Sequence, residues 1–150
     1  MTASTSAHSI FDILLVEDNR ADIVLTTRAF ETHHPAHRLH VVTTGDEAMA
    51  FVRQEGTHQQ ASRPHLILLD LNLPGMDGRE VLVEIKADRT LRRIPVVVLT
   101  SSESKDDLLA CYDSHTNAYM TKPRTFDELV DLTRRLTDFW FSAVHLPPTD

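Results

Sequence analysis

Several residue types are scarce in this chain, and their scarcity excludes several classes of protein. Its 150 residues include one cysteine, Cys111, which cannot form a disulfide within the chain or build a cysteine metal cluster. No apolar run approaches the ~18–20 residues of a membrane span, and the opening MTASTSAHS lacks the apolar stretch of a secretory signal. Fifteen basic residues against 22 acidic ones give a net charge of −7, with no basic stripe for nucleic acid. We therefore expect a cytoplasmic protein that binds neither membrane nor nucleic acid.

The remaining composition is that of an ordinary globular protein. Hydrophobic residues make up 41% of the chain and charged residues 25%, and no repeat or low-complexity segment interrupts it. We predict a lead-in over residues 1–10, one domain over residues 11–140 and a C-terminal tail over residues 141–150. This domain leaves no room for a second one.

Short apolar runs alternate with amphipathic segments along the whole domain. The predicted strands are Phe11–Val16, Arg38–Val42, Leu66–Leu69, Pro95–Leu99 and Ala118–Thr121. The predicted helices run roughly from Arg20 to His33, from Thr44 past Val52, from Arg79 to Ala87, from Lys105 to Ser114 and from Thr125 to Trp140. This alternation predicts an α/β fold: a doubly wound, five-stranded parallel sheet with helices on both faces.

Chemically active side chains stand where these strands end. Glu17 and Asp18 follow the first strand, Asp70 the third, Thr100 the fourth and Lys122 the fifth. In a parallel sheet all of them point to one edge, where open α/β sheets bind ligands. Three carboxylates in one pocket repel one another, so the site raises a pKa or holds a divalent cation, and hard oxygen ligands suit Mg²⁺.

The same set fits phosphoryl transfer, which needs little beyond positioning and charge neutralisation. Asp70 would be the carboxylate nucleophile, while Lys122 and Thr100 hold the other oxygens of the phosphoryl group. Taken singly, each residue has a commoner role: Glu17 and Asp18 cap helices, Thr100 is a turn hydroxyl and Lys122 a solvated charge. Their occurrence at four different strand ends favours the joint interpretation.

Four segments resemble the receiver domain of bacterial two-component response regulators. They are LLVEDN (14–19), LILLDLNLPGMDG (66–78), PVVVLTSS (95–102) and YMTKP (119–123). The resemblance covers about residues 11–140 and implies the flavodoxin-like version of the predicted fold.

The resemblance also assigns roles to the acidic residues. It implies that Asp70 accepts a phosphoryl group from a phosphohistidine on a sensor histidine kinase. It implies that Asp18, Asp70 and the backbone carbonyl of Asn72 bind Mg²⁺, with Glu17 helping through water. Catalysis would then be limited to the protein's own phosphorylation and dephosphorylation, so we do not expect an enzyme acting on other substrates.

The resemblance further implies a switch. Lys122 would pair with the phosphoryl group, Thr100 would donate its hydroxyl to it, and Tyr119 would rotate inward as Thr100 moves. The surface of the fourth helix, fifth strand and fifth helix would change as a result. The peptide bond before Pro123 is expected to be cis.

Two departures from commoner receivers point to a subfamily. The segment Tyr112–Asn117 stands where many receivers carry Gly-Ala, and the last helix ends in DFWF (138–141) before His145–Pro148. Both features resemble the stand-alone regulators that partner bacterial phytochrome histidine kinases. Whether such a regulator is a terminal switch or an intermediate in a phosphorelay stays open.

The last helix carries two apolar stripes, and only one of them can face the sheet. We expect the other to form a homodimer interface through the fourth helix, fifth strand and fifth helix, since aromatic residues are enriched in interfaces. The alternative is a tail that folds back over the stripe. The predicted interface residues are Leu132, Leu136, Phe139, Trp140 and Phe141.

Two other functions are compatible with parts of the pattern. An aspartate-nucleophile phosphatase needs a second acid two residues after the nucleophile, where this chain has Asn72. A pseudo-receiver that only binds proteins would not need the complete acid, threonine and lysine set. Among the nine histidines, His33, His34, His37 and His40 cluster without an acid or cysteine at ligand spacing, and we interpret them as solvated loop positions.

Overall fold

The computed structural model describes residues 10–32 and 37–149 of the chain. Most of the predicted lead-in (1–9), together with His33 and His34, lies outside the described residues. Within the described residues, no helix is both long enough and apolar enough to cross a membrane.

Five parallel strands form one sheet, in the order β2-β1-β3-β4-β5. This confirms the predicted fold class, with helices on both faces. The strands are β1 (Phe11–Val16), β2 (His37–Val42), β3 (Leu66–Leu69), β4 (Val96–Thr100) and β5 (Ala118–Thr121).

Five α-helices connect and follow these strands. They are α1 (Arg20–Glu31), α2 (Gly45–Arg53), α3 (Gly78–Ala87), α4 (Lys105–Asp113) and α5 (Phe126–Asp138). Helix α1 is therefore two residues shorter than predicted. A π-helical turn, Phe139–Ala143, extends the chain beyond α5.

The alternation of side chains along β1 divides the interior into two cores. Leu14 and Val16 face the core shared with α2, α3 and Cys111 of α4. Ile13 and Leu15 face the core shared with α1 and α5, where α1 also packs against α5. Burial on both faces explains why the central strands read as continuous apolar runs.

Side-chain caps begin the helices close to the strand ends. Asn19 accepts a hydrogen bond from Asp22 N, Thr44 from Glu47 N, and Thr125 from Glu128 N. These caps turn the chain directly from strand into helix. They keep the loops short at the edge where the strands end.

The interpretation of the histidine cluster as loop positions is wrong for His37 and His40, which lie in β2. The register of β2 beside β1 places His40 two residues beyond the partner of Asp12. Its Nε2 lies 2.9 Å from Asp12 Oδ1, and the guanidinium of Arg38 donates to the same carboxylate over 2.9 and 3.3 Å. The buried carboxylate of Asp12, near the start of β1, thus binds the side chains of both Arg38 and His40.

Candidate functional site: an acidic pocket at the strand ends

The carboxyl ends of β1 and β3 bring three acids together. Val16 and Leu69 are register partners, so the residues that follow them, Glu17 and Asp70, are neighbours. Ligand oxygens of Glu17, Asp18 and Asp70 all lie within 4.8 Å of one another. Glu17 and Asp70 are buried, whereas Asp18 is exposed. A cluster of hard oxygen donors open on one side fits a divalent cation that retains part of its water shell.

Lys122 enters this pocket from the end of β5. Its Nζ lies 2.6 Å from Glu17 Oε1, 2.8 Å from Asp22 Oδ2 and 3.2 Å from Asp70 Oδ2. The expected cis bond before Pro123 is wrong, because no peptide bond among the described residues is cis. The trans isomer is the intrinsically favoured form of such bonds, by about 0.5–1 kcal/mol.

Asp22 also contacts Lys122 in this pocket, and the sequence pattern does not predict it. Its only sequence signal is its place three residues after the cap Asn19, in the first turn of a helix that starts at the acidic edge. A first-turn acid is common for helix-dipole reasons alone. The pattern therefore gave no reason to separate it from an ordinary helix start.

The electrostatics of the pocket are unbalanced. Burial raises the pKa of Glu17 to about 7, and the charge of Asp70 adds to the effect against the bonds from Lys122 and from the Asn19 N–H. Burial alone would lower the pKa of Lys122, but its bonds to Asp22 and Glu17 and the charge of Asp70 raise it. The ammonium of Lys122 is thus shared by three carboxylates, those of Glu17, Asp22 and Asp70.

The turn after Asp70 shapes the floor of the pocket. Asn72 N lies 3.4 Å from Asp70 Oδ1, a long contact, and Gly78 N donates to Leu71 O over 2.9 Å. A Cβ at Gly78 would collide with the backbone carbonyl of Asp70, so only glycine permits this close approach. The backbone carbonyl of Asn72 as a metal ligand stays a prediction.

The predicted switch residues, Thr100 and Tyr119, lie on β4 and β5, the strands that follow β3 in the sheet. Thr100 is fully buried at the end of β4, and its hydroxyl oxygen accepts a hydrogen bond from Ser102 N over 3.3 Å. Tyr119 is half-buried, and its hydroxyl donates to Ser102 O over 3.2 Å. Both side chains therefore contact the loop between β4 and α4.

That loop is also fastened to α3 by a network that the sequence did not reveal. Ser102 Oγ donates to Asp107 over 2.6 Å, and Arg79 Nη2 lies 2.8 Å from the same carboxylate. The Ser102 hydroxyl and Arg79 together lower the pKa of Asp107. Arg79 and Asp107 are separated by 28 residues, and no local pattern links them.

The structure divides the five predicted interface residues. Leu136 is 2% exposed and packs in the core beside α1, but it also lines a groove between β5 and α5, so its place in an interface stays a prediction. Phe141 stacks on Phe11 with ring centroids 4.3 Å apart, which fits the alternative of a tail that folds back. Leu132 and Trp140 are half-buried against the same core, whereas Phe139 is 52% exposed.

Comparison with known proteins gives the context for this pocket. The family model for the response regulator receiver domain matches residues 13–134. The response regulator Rcp1 of a Synechocystis strain is 48% identical over 135 residues, which cover 90% of this chain and 92% of Rcp1.

Solved structures agree with that match. The phosphorylated cyanobacterial phytochrome response regulator RcpA superposes with a TM-score of 0.89 at 50% identity, covering 93% of this chain and all of RcpA. The Mn²⁺-bound form of Rcp1 superposes with a TM-score of 0.85 at 47% identity, covering 92% of this chain and 99% of that one.

These similarities fix the family, and they agree with the acidic pocket, because receiver domains bind a divalent metal in such a pocket and phosphorylation on aspartate is typical of them. A receiver also implies a histidine kinase as partner. This chain therefore belongs to the response regulator receiver family and is a two-component signalling protein closely related to the response regulator Rcp1 and to the phytochrome response regulator RcpA.

Proposed function

We propose that this chain accepts a phosphoryl group on Asp70 from the phosphohistidine of a sensor histidine kinase of the bacterial phytochrome type, in the cytoplasm. The observation that carries the assignment is the contact of Lys122 Nζ with Asp70 Oδ2 at 3.2 Å, at the end of the central strand. The phytochrome response regulator RcpA, which is among its similar structures, supports the choice of kinase.

The transfer uses few groups of the chain. A carboxylate oxygen of Asp70 forms a bond to phosphorus as the bond from phosphorus to the kinase imidazole breaks. The electron pair of the broken bond stays on the imidazole nitrogen, which then binds a proton. Lys122 places positive charge beside the attacking oxygen of Asp70 and beside the oxygens of the incoming phosphoryl group.

We further propose Mg²⁺ as the cation of the pocket. Asp18, Asp70 and the backbone carbonyl of Asn72 would hold it, with Glu17 contributing through water. The donor set supports this choice, because carboxylate and carbonyl oxygens with exchangeable waters are what Mg²⁺ prefers. The cation would neutralise charge on the phosphoryl oxygens.

Phosphorylation would change the surface formed by α4, β5 and α5. A phosphoryl group adds nearly two negative charges and three acceptors beside buried Thr100. If the Thr100 hydroxyl turns toward it, the bond from Ser102 N is lost, and Ser102 also accepts from Tyr119. The Tyr119 ring and the loop between β4 and α4 would then move together.

We propose that this surface also forms a homodimer. A groove of about 470 Å³ lies between β5 and α5, lined by residues that include Met120, Arg135, Phe139 and Trp140. Aromatic side chains and arginine are enriched in protein interfaces. Leu132 and Phe139 would flank the contact, with Trp140 at its centre.

The test is phosphorylation by a cognate kinase or by acetyl phosphate with Mg²⁺, comparing wild type with Asp70→Asn by mass spectrometry. We expect label on wild type and a loss of at least about 100-fold in the variant, since the nucleophile is gone. Equal labelling would contradict the assignment, and an unlabelled wild type would favour a pseudo-receiver.

The homodimer is tested by light scattering of wild type and of Trp140→Ala. An equal molar mass for the two proteins would contradict the proposed interface.

A further inference from the structure

The ammonium of Lys122 lies between three carboxylates. It donates hydrogen bonds to Asp22 and Asp70, and its Nζ lies 2.6 Å from Glu17 Oε1. The contact with Asp22 is 2.8 Å long and that with the acceptor Asp70 is 3.2 Å. Lys122 therefore lies closer to Asp22, which does not react, than to the phosphoryl acceptor Asp70.

Asp22 is held in this position by the start of α1. The side chain of Asn19 accepts a hydrogen bond from Asp22 N over 3.0 Å, which fixes the backbone of the first turn. The Asp22 side chain is 36% exposed, whereas those of Glu17 and Asp70 are 3% and 7% exposed. Asp22 is thus the outermost of the three carboxylates around Lys122.

Phosphorylation turns the Asp70 carboxylate into an acyl phosphate and brings three further oxygens, with nearly two negative charges, close to Lys122. Any contact with these oxygens beyond the one that Lys122 already makes with Asp70 requires it to release Glu17 or Asp22. Releasing a buried carboxylate leaves it without solvent, which is costly. Releasing Asp22 costs less, because water reaches it already. The exchange of Lys122 from Asp22 to a phosphoryl oxygen is therefore the cheapest rearrangement that the pocket offers.

We infer that Asp22 is a positioning residue, one that holds Lys122 at the pocket mouth and competes with the phosphoryl group for it. The inference rests on the proposed phosphorylation of Asp70. It predicts that Asp22 slows phosphorylation and weakens the binding of phosphoryl-like ligands, through Lys122.

The experiment uses the full chain with Mg²⁺ and two probes. The first is the rate of phosphorylation by phosphoramidate, and the second is the dissociation constant of beryllofluoride, which mimics the phosphoryl group without turnover. In Asp22→Asn we expect the rate to rise and the dissociation constant to fall, each about two- to fivefold, the range of one partly exposed ion pair. The conservative variant Asp22→Glu, which keeps the charge, should stay near wild type.

Two comparisons separate this role from a general charge effect. Asp127→Asn removes an equal charge from the exposed first turn of α5 and should leave both probes unchanged. In a Lys122→Met background, Asp22→Asn should have no further effect, because Asp22 acts through the lysine.

Each outcome separates the two proposals. A wild type that takes no phosphoryl group on Asp70 overturns the proposed function. A normally phosphorylated wild type with an unchanged Asp22→Asn variant overturns only the role of Asp22. The role is equally overturned if Asp127→Asn gives the same increase, or if the effect of Asp22→Asn persists without Lys122.

Discussion

Strand β1 carries a buried acid at each end, Asp12 near its first residue and Glu17 directly after its last. At the first end, burial alone would raise the pKa of Asp12, but hydrogen bonds from His40 and Arg38 outweigh it and lower the pKa. At the other end, burial and the neighbouring charge of Asp70 raise the pKa of Glu17 to about 7.

Both acids are almost fully buried, with Asp12 3% exposed and Glu17 2% exposed, but the charges around them differ. One carboxylate with two basic partners forms a stabilising structural cluster. Three carboxylates around Lys122 form a site with surplus negative charge, which a cation or a change of charge can relieve. Proteins commonly give up stability in this way at functional sites.

The largest expected effect on stability follows from a change at the balanced end of β1, where Arg38 and His40 surround Asp12. Asp12→Ala removes the acceptor of Arg38 and His40, and we expect the free energy of unfolding to fall by about 2 kcal/mol. The loss stays moderate because 56% of the Arg38 side chain and 31% of the His40 side chain already reach solvent. Urea unfolding measures it.

The matched control for Asp12→Ala is Glu103→Gln, in the exposed loop before α4. It should change the free energy of unfolding by less than about 0.5 kcal/mol. Phosphorylation of Asp12→Ala under conditions where it remains folded should equal that of wild type. A loss of labelling in the folded variant would show that the two ends of β1 are coupled.

A smaller change in stability, of opposite sign, is expected at the crowded end of β1, where three carboxylates surround Lys122. Asp70→Asn removes one of three carboxylates around Lys122 while keeping the side-chain volume. We expect the metal-free protein to gain about 1 kcal/mol of unfolding free energy, and the gain to shrink with added salt or Mg²⁺. Urea unfolding with a chelator and then with Mg²⁺ measures both parts. A loss as large as that of Asp12→Ala would contradict the surplus of negative charge.

The sequence predicted the crowded end far better than the balanced one. Glu17, Asp70 and Thr100 could be placed at one edge because parallel strands all end there, and an apolar run followed by a polar residue marks that end. Asp12 sits inside such a run, where strand periodicity gives no hint of a partner. Its partner Arg38 is 26 residues away, in a strand whose register only the assembled sheet fixes.

The last helix shows a second limit of pattern reasoning. Two apolar stripes on α5 were visible in the sequence, but the pattern alone could not say which one the sheet takes. The structure turns Leu136 into the core and leaves Phe139 outside. Phe141 finds a ring to stack on, Phe11, only because the chain ends of this domain meet in three dimensions.

The smallest expected effect concerns pH at the balanced end. Asp12 N donates to His65 Nδ1 over 3.0 Å, so that nitrogen must carry no proton. Burial lowers the pKa of His65, against the charge of Asp12. Below a pH of about 6.5 the unfolded chain binds a proton that the folded chain refuses, so His65 contributes stability that is lost as the pH falls. In urea unfolding between about pH 7.5 and about pH 5.5, wild type should therefore lose stability faster than His65→Asn. The control His145→Asn, in the exposed tail, should keep the wild-type slope. If the unfolding free energy of wild type and of His65→Asn changed equally with pH, the folded protein would protonate His65 as readily as the unfolded chain. The hydrogen bond from Asp12 N to His65 would then contribute nothing to the stability of this end of β1.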